Sequence, residues 1–173
     1  MNLEYVRTLW EELRLVNGIT RRLIEAIPAD KIGSHPVKDM RTPTELIVHM
    51  AETMRGVADG AASGTIKDYE AGEKEIVAKV KSRDDLVRLM GDAWKHANKV
   101  VEGLKPEQMT NMVKTPWGMD FPGWVCIQII FDEHVHHRGQ LYAYLRALGV
   151  APPNMWDFAN NAADYKPRQH QQA

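Results

Sequence analysis

Cysteine is nearly absent from this sequence, and so is net charge. The single thiol is Cys126, so no disulfide can close within the chain and apolar burial must hold the fold. Acidic and basic side chains almost cancel, 23 against 22, for a formal net charge of −1. A chain so balanced has no bias toward a polyanion, and no nucleic-acid partner is expected. No run of about 18 apolar residues occurs, so no membrane-spanning segment is expected either. The opening segment MNLEYVRTLWEELR has acids mixed through it and lacks the basic-then-apolar order of a secretory leader. Internal repeats and low-complexity stretches are also missing. Together these absences lead to the expectation of a reducing, cytoplasmic location.

What is present is an ordinary globular composition, 44% hydrophobic and 26% charged over 173 residues. That length suits one domain, expected over residues 1–160, with 161–173 as a C-terminal tail. Four segments carry helical periodicity. The first runs from Leu3 to Ile27, with Val6, Trp10, Leu13, Val16 and Leu23 in its stripe, and Pro28 stops it. The second opens on Thr42, Pro43 and Glu45, a T-x-x-E capping box with proline in the first helical position, and is expected to end near Gly60. After it, AASG reads as loop, and EKEIVAKV as a short helix or a packed extended piece.

The third helix is expected from near Ser82, with Asp84 and Asp85 favouring its N-terminus. Its inner stripe reads Leu86, Leu89, Ala93, Ala97, Val100 and Leu104, and Pro106 ends it. A connection to Phe121 follows, with Pro116, Trp117 and Gly118 as turn material. The fourth helix is expected from Pro122 to Leu148, stopped by Gly149. Its first half, GWVCIQIIF, is apolar on nearly every side, which suits a central helix or a dimer contact. Beyond it, Pro152 and Pro153 forbid helix, and Trp156 and Phe158 are expected to fold back onto the domain. The last six or so residues are expected to be loose. Four such helices make an all-α four-helix bundle with long interhelical connections the expected fold.

Three of the seven histidines crowd into DEHVHHRGQ. At about 100° per residue, Cys126, Ile130, Glu133, His137, Leu141, Tyr144 and Leu148 share one face. The rest of that face is apolar, so Glu133 and His137 are read as pointing inward, one turn apart. A buried carboxylate and imidazole need a partner or a metal, and the i, i+4 spacing suits two ligands to one ion. A hydrogen-bonded Glu–His pair in a polar core network is the plainer reading. His134, at the edge of the face, could substitute or support a ligand, while His136 points away. A third ligand should come from another helix. His49, with Leu46, Thr53 and Gly56 on its side, is the best placed. Gly56 would let another element approach closely, and Glu52 could be a fourth ligand or a base. His96 reads as solvated beside Lys95 and Lys99, and His35 and His170 as loop and tail residues. Arg138 reads as a surface charge or a partner of Asp132 or the chain termini. Cys126, in an apolar stretch with no adjacent cation, reads as inert.

Three stretches together resemble the DinB/YfiT-like superfamily of metalloenzymes. They are His136 to Gly149 (HHRGQLxxYLRxLG), Pro28 to Ala51 (PADKIxxxPVxxMRTPTELIVHMA, with His35 before Pro36) and Pro152 to Trp156 (PPxxW). The resemblance implies a four-helix bundle, commonly a homodimer, with one divalent metal held by three histidines. Two of those positions map to His49 and His137. The third maps to Glu133, an acid in place of histidine. On this pattern the expected ligands are His49, Glu133 and His137, a two-histidine, one-carboxylate set for zinc, nickel or manganese. Such a set leaves positions open for water or substrate. The resemblance further implies a thiol-dependent transferase acting on a small electrophile with a small-molecule thiol as partner. His134 or Glu52 would then be proton carriers. A metal-dependent hydrolase and a non-catalytic metal-binding or stress-response dimer are the alternatives.

Overall fold

Each of the long helices starts or stops where its sequence can satisfy the free backbone groups of a helix end. In the computed structural model, which describes residues 3–166, α1 spans Leu3–Ala26, α2 Pro43–Ser63, α3 Glu73–Lys79, α4 Arg83–Glu102, α5 Pro106–Thr110 and α6 Gly123–Ala147. At the start of α2, Thr42 Oγ1 accepts from the Glu45 backbone at 3.2 Å, and the Glu45 carboxylate accepts from Thr42 N at 2.7 Å. Ser82 and Asp85 form the same reciprocal cap on α4. The helix expected to end near Gly60 runs three residues further. Ala61, Ala62 and Ser63, read as loop, are its last turn, and Gly64 closes it at φ 84°.

The bundle is a ring of four long helices. α2 packs against α4 and α6, and α1 closes the ring against the same two. Leu13, Leu23, Leu46, Met54, Leu86, Met90 and Tyr144 are fully buried along its axis. Trp10 of α1 stacks on Trp94 of α4, with centroids 5.2 Å apart. The buried face of α4 is Leu86, Met90, Ala93, Trp94, Ala97 and Val101. Leu89 and Val100, placed in the inner stripe from sequence, are only partly buried. The buried Trp94, stacked on Trp10, shows that the face α4 turns inward is centred nearer α1 than the sequence stripe.

The connections hold more structure than the sequence reading assigned them. EKEIVAKV resolves as the short helix α3, which lies against α2. Between α4 and α6 stand α5 and a small antiparallel pair, β1 (Met112–Val113) with β2 (Phe121–Pro122). Pro106 therefore opens a helix rather than merely ending one, since α4 already stops at Glu102. Asn161 and Tyr165 are buried, and the segment that carries Tyr165 lies on α1. The packed chain thus continues past residue 160. The expected loose end, including His170, lies outside the described residues. Phe158 packs on the core, but Trp156 is 71% exposed and does not fold back onto it. No helix among the described residues is long and apolar enough to cross a membrane.

Candidate metal centre

α2 and α6 are neighbours in the ring, and their facing sides bring His49 against His137. The two rings meet edge to face with centroids 5.0 Å apart. Glu133, one turn before His137, lies between them. Its Oε2 is 3.0 Å from His137 Nε2 and 3.8 Å from His49 Nε2. One donor atom from each residue lies within 4.8 Å of the others, and this trio forms a candidate metal group. Two ligands about 2.1 Å from a tetrahedral metal stand about 3.4 Å apart, between the two separations seen. The histidine side chains are 8% exposed, but Glu133 is 43% exposed. The carboxylate is thus at the mouth of the site rather than in the bundle core, where the helical face had put it, and it opens the site to solvent.

The rear nitrogens of both rings face oxygen. His49 Nδ1 is 2.8 Å from Glu73 Oε1, and His137 Nδ1 is 3.2 Å from Gln140 Oε1. The Gln140 amide nitrogen faces His136 Nε2 at 3.1 Å, which leaves its oxygen for His137. In the Nδ1–H tautomer each ring donates to the oxygen behind it. In that tautomer each Nε2 turns a lone pair toward the Glu133 carboxylate. Burial holds His137 below the ordinary histidine value, with His49 and His136 adding to this and Gln140 and Glu133 opposing it. Three lone-pair donors converging on one point repel one another unless a cation or proton stands among them. The residues present fit a divalent metal, and the rear oxygens orient the ligands as carboxylate–histidine–metal sites do.

Two residues missed from sequence complete the site. Glu73, at the start of α3, reaches back to His49. Its only sequence signal was a cluster of acids before an ambiguous segment. Tyr69 precedes α3 and lies over Gly56 of α2, where a Cβ would stand 2.5 Å from its Cδ1. The close approach expected at Gly56 is thus made by Tyr69. Burial raises the Tyr69 phenol above its ordinary value, the Thr53 hydroxyl acts the other way, and the Glu70, Glu133 and Glu73 carboxylates raise it further.

The remaining candidates lie elsewhere. His134, considered as a replacement ligand, is 3% exposed, and its Nε2 is 2.8 Å from Thr20 Oγ1 of α1. It faces the α1 side of α6 and takes no part in the group of donors. Burial, then Arg138 and His137, push it down to about 3. Glu52, considered as a fourth ligand or base, pairs with Arg55 at 3.1 Å. His96 is exposed and pairs with Asp59 at 2.7 Å, as its solvated reading expected. His35 Nδ1 faces the Met40 carbonyl, and His136 is exposed. Arg138 is not a surface charge; it is 8% exposed, and Asp132 bonds Gln128 instead. Cys126 is fully buried, and burial pushes its thiol up to about 11, in keeping with an inert residue.

Comparison with known proteins identifies the fold and the family. YjoA of Bacillus subtilis (strain 168), itself uncharacterized, is 22% identical over 134 residues, covering 76% of this chain and 83% of YjoA. The crystal structure of YjoA superposes with a TM-score of 0.69 at 20% identity, over 86% of this chain and 96% of that one. A mutant of the mycothiol-dependent maleylpyruvate isomerase superposes at 0.65 and 18% identity, over 82% of this chain and 61% of the isomerase. At these identities the likeness establishes the shared helical fold. A family model matches residues 1–169, and with the match spanning nearly the whole length, the chain belongs to the DinB family.

Proposed function

We propose that this protein is a divalent-metal-dependent enzyme that transfers or isomerises through a small thiol, with a small electrophile as the second substrate. The observation that carries the reading is the convergence of His49 Nε2, His137 Nε2 and Glu133 Oε2 on one point, with both rear nitrogens held by oxygen. The mycothiol dependence stated for the isomerase of the same fold supports the thiol.

Zinc, nickel or manganese bound there would act as a Lewis acid and lower the pKa of a thiol or water at the open position. The chain's own residues do the rest. Glu73 and Gln140 keep the two imidazoles in the Nδ1–H form and fix their planes. Glu133, at the mouth, supplies the negative charge that brings the ligand set toward neutrality with a divalent ion. We assign to Tyr69, which lies over Gly56 of α2, the role of giving a proton to a departing group. A homodimer fits the partly exposed apolar flank of α6, Trp124, Val125, Ile129 and Phe131.

Metal analysis of the purified chain after loading with zinc, nickel and manganese tests the reading first. Retention by wild type and loss in His137→Ala is the expected result; no retention of any of the three sinks it. Turnover of electrophilic acceptors across a panel of low-molecular-weight thiols tests the chemistry. Activity that needs metal but no thiol would assign the site to hydrolysis instead.

A further inference from the structure

A cleft of about 760 Å³ lies between another face of α6 and the Pro152–Trp156 segment. That volume is in the range of small-molecule sites. Arg138, Tyr142 and Arg146 line one wall, and Pro153, Met155 and Trp156 the other. Among the described residues no acidic side chain lines it.

Arg138 is more than nine-tenths buried, yet no carboxylate pairs with it among the described residues. No Arg138 nitrogen is among the buried polar atoms that lack a partner, so its guanidinium reaches the cleft, where a cation with no counter-charge attracts an anion. Beside it the Tyr142 hydroxyl is buried without a hydrogen-bond partner. The Arg146 guanidinium stands over the Tyr142 ring, 5.6 Å from its centroid. Arg22 of α1 also acts on this tyrosine, but its charge is spent on Asp157, 2.8 Å away. That pair ties the Pro152–Trp156 segment to α1 and fixes the far wall. Trp156 and Met155 stand exposed there at 71% and 41%. Unpaired cations, an unused hydroxyl and an exposed indole therefore share one concavity.

We propose that this cleft binds a small organic anion, a carboxylate or phosphate monoester with a flat apolar body. The headgroup meets Arg138, Arg146 and the Tyr142 hydroxyl, and the body lies along Trp156. With two unpaired guanidiniums, the cleft matches one headgroup and not a polyanion. The site is separate from the metal centre and stands whether or not that centre binds metal.

Calorimetric titration of the full chain with benzoate, phenyl phosphate, inorganic phosphate and benzyl alcohol tests it, with and without zinc. Benzoate or phenyl phosphate should bind, inorganic phosphate more weakly, and benzyl alcohol not measurably. Whichever aromatic anion binds more tightly identifies the headgroup. Arg138→Met should weaken binding about tenfold or more, and the exposed-site variants Arg146→Ala and Trp156→Ala about fivefold each. The two exposed variants keep the test decisive if Arg138→Met does not fold. No binding by either aromatic anion, equal affinity in these variants, equal binding of benzyl alcohol, or binding that requires zinc would overturn the proposal. So would sedimentation showing a dimer that Trp156→Ala dissociates, since a second copy would then cover the cleft.

Discussion

Glu73 Oε1 stands 2.8 Å from His49 Nδ1, joining a short helix after a loop to the middle of α2. This contact decides which nitrogen of His49 faces the other two donors. Glu73→Ala should weaken metal binding about 10- to 100-fold, the usual effect of losing such a support. Glu73→Gln, whose amide oxygen can still accept, should lose less. Competition titration with a chromophoric chelator reads both. Wild-type affinity in Glu73→Ala would count against a positioning role.

Removing a ligand has a stability readout as well. A thousandfold excess of metal over its dissociation constant stabilises a native site by about 4 kcal/mol. Melting curves with and without zinc should separate for wild type and merge for His49→Ala, Glu133→Ala and His137→Ala. His134→Ala should keep the metal-dependent shift even if its overall melting temperature falls, because His134 bonds Thr20 and not the site. If only His134→Ala abolishes the shift, the ligand set is wrong.

Acid should destabilise the metal-free protein through His134. The unfolded ring takes up a proton near its ordinary value of 6.5, while the buried ring resists until about 3. The unfolded state therefore binds more protons between these values, and stability is lost as pH falls through that window. The slope is at most about 1.4 kcal/mol per pH unit. Between pH 6.5 and 5, urea titrations should show wild type losing about 2 kcal/mol more than His134→Gln. Parallel losses would show that His134 is not the group responsible.

Gly56→Ala should destabilise by about 1–3 kcal/mol, the range for a group forced into a filled space. The new methyl meets the Tyr69 ring, which would have to move away from the metal centre. Pairing the change with Tyr69→Ala should recover part of the loss. A fully additive double mutant would show that the clash is not the cause.

Cys126 should resist iodoacetamide at pH 8 in the native state and react on unfolding. Its thiol is fully buried and pushed up to about 11, so thiolate is scarce as well as inaccessible. Modification of native protein at the rate of a free thiol would contradict this placement.

The long helices were legible because their signals are local. Thr42, Pro43 and Glu45 lie within four residues, and the cap they form is a property of that stretch alone. Helical spacing likewise put Glu133 and His137 on one side of α6, and the pattern matched to the family added His49. Sequence could not tell how far the faces turn. Glu133 sits at the mouth and His134 is the more buried, because α1 covers one edge of that face and leaves the other open. Glu73, Tyr69 and the burial of Arg138 depended wholly on tertiary structure. What lies against each comes from a segment distant in sequence, and no periodicity within a helix records what an irregular connection will lay against it.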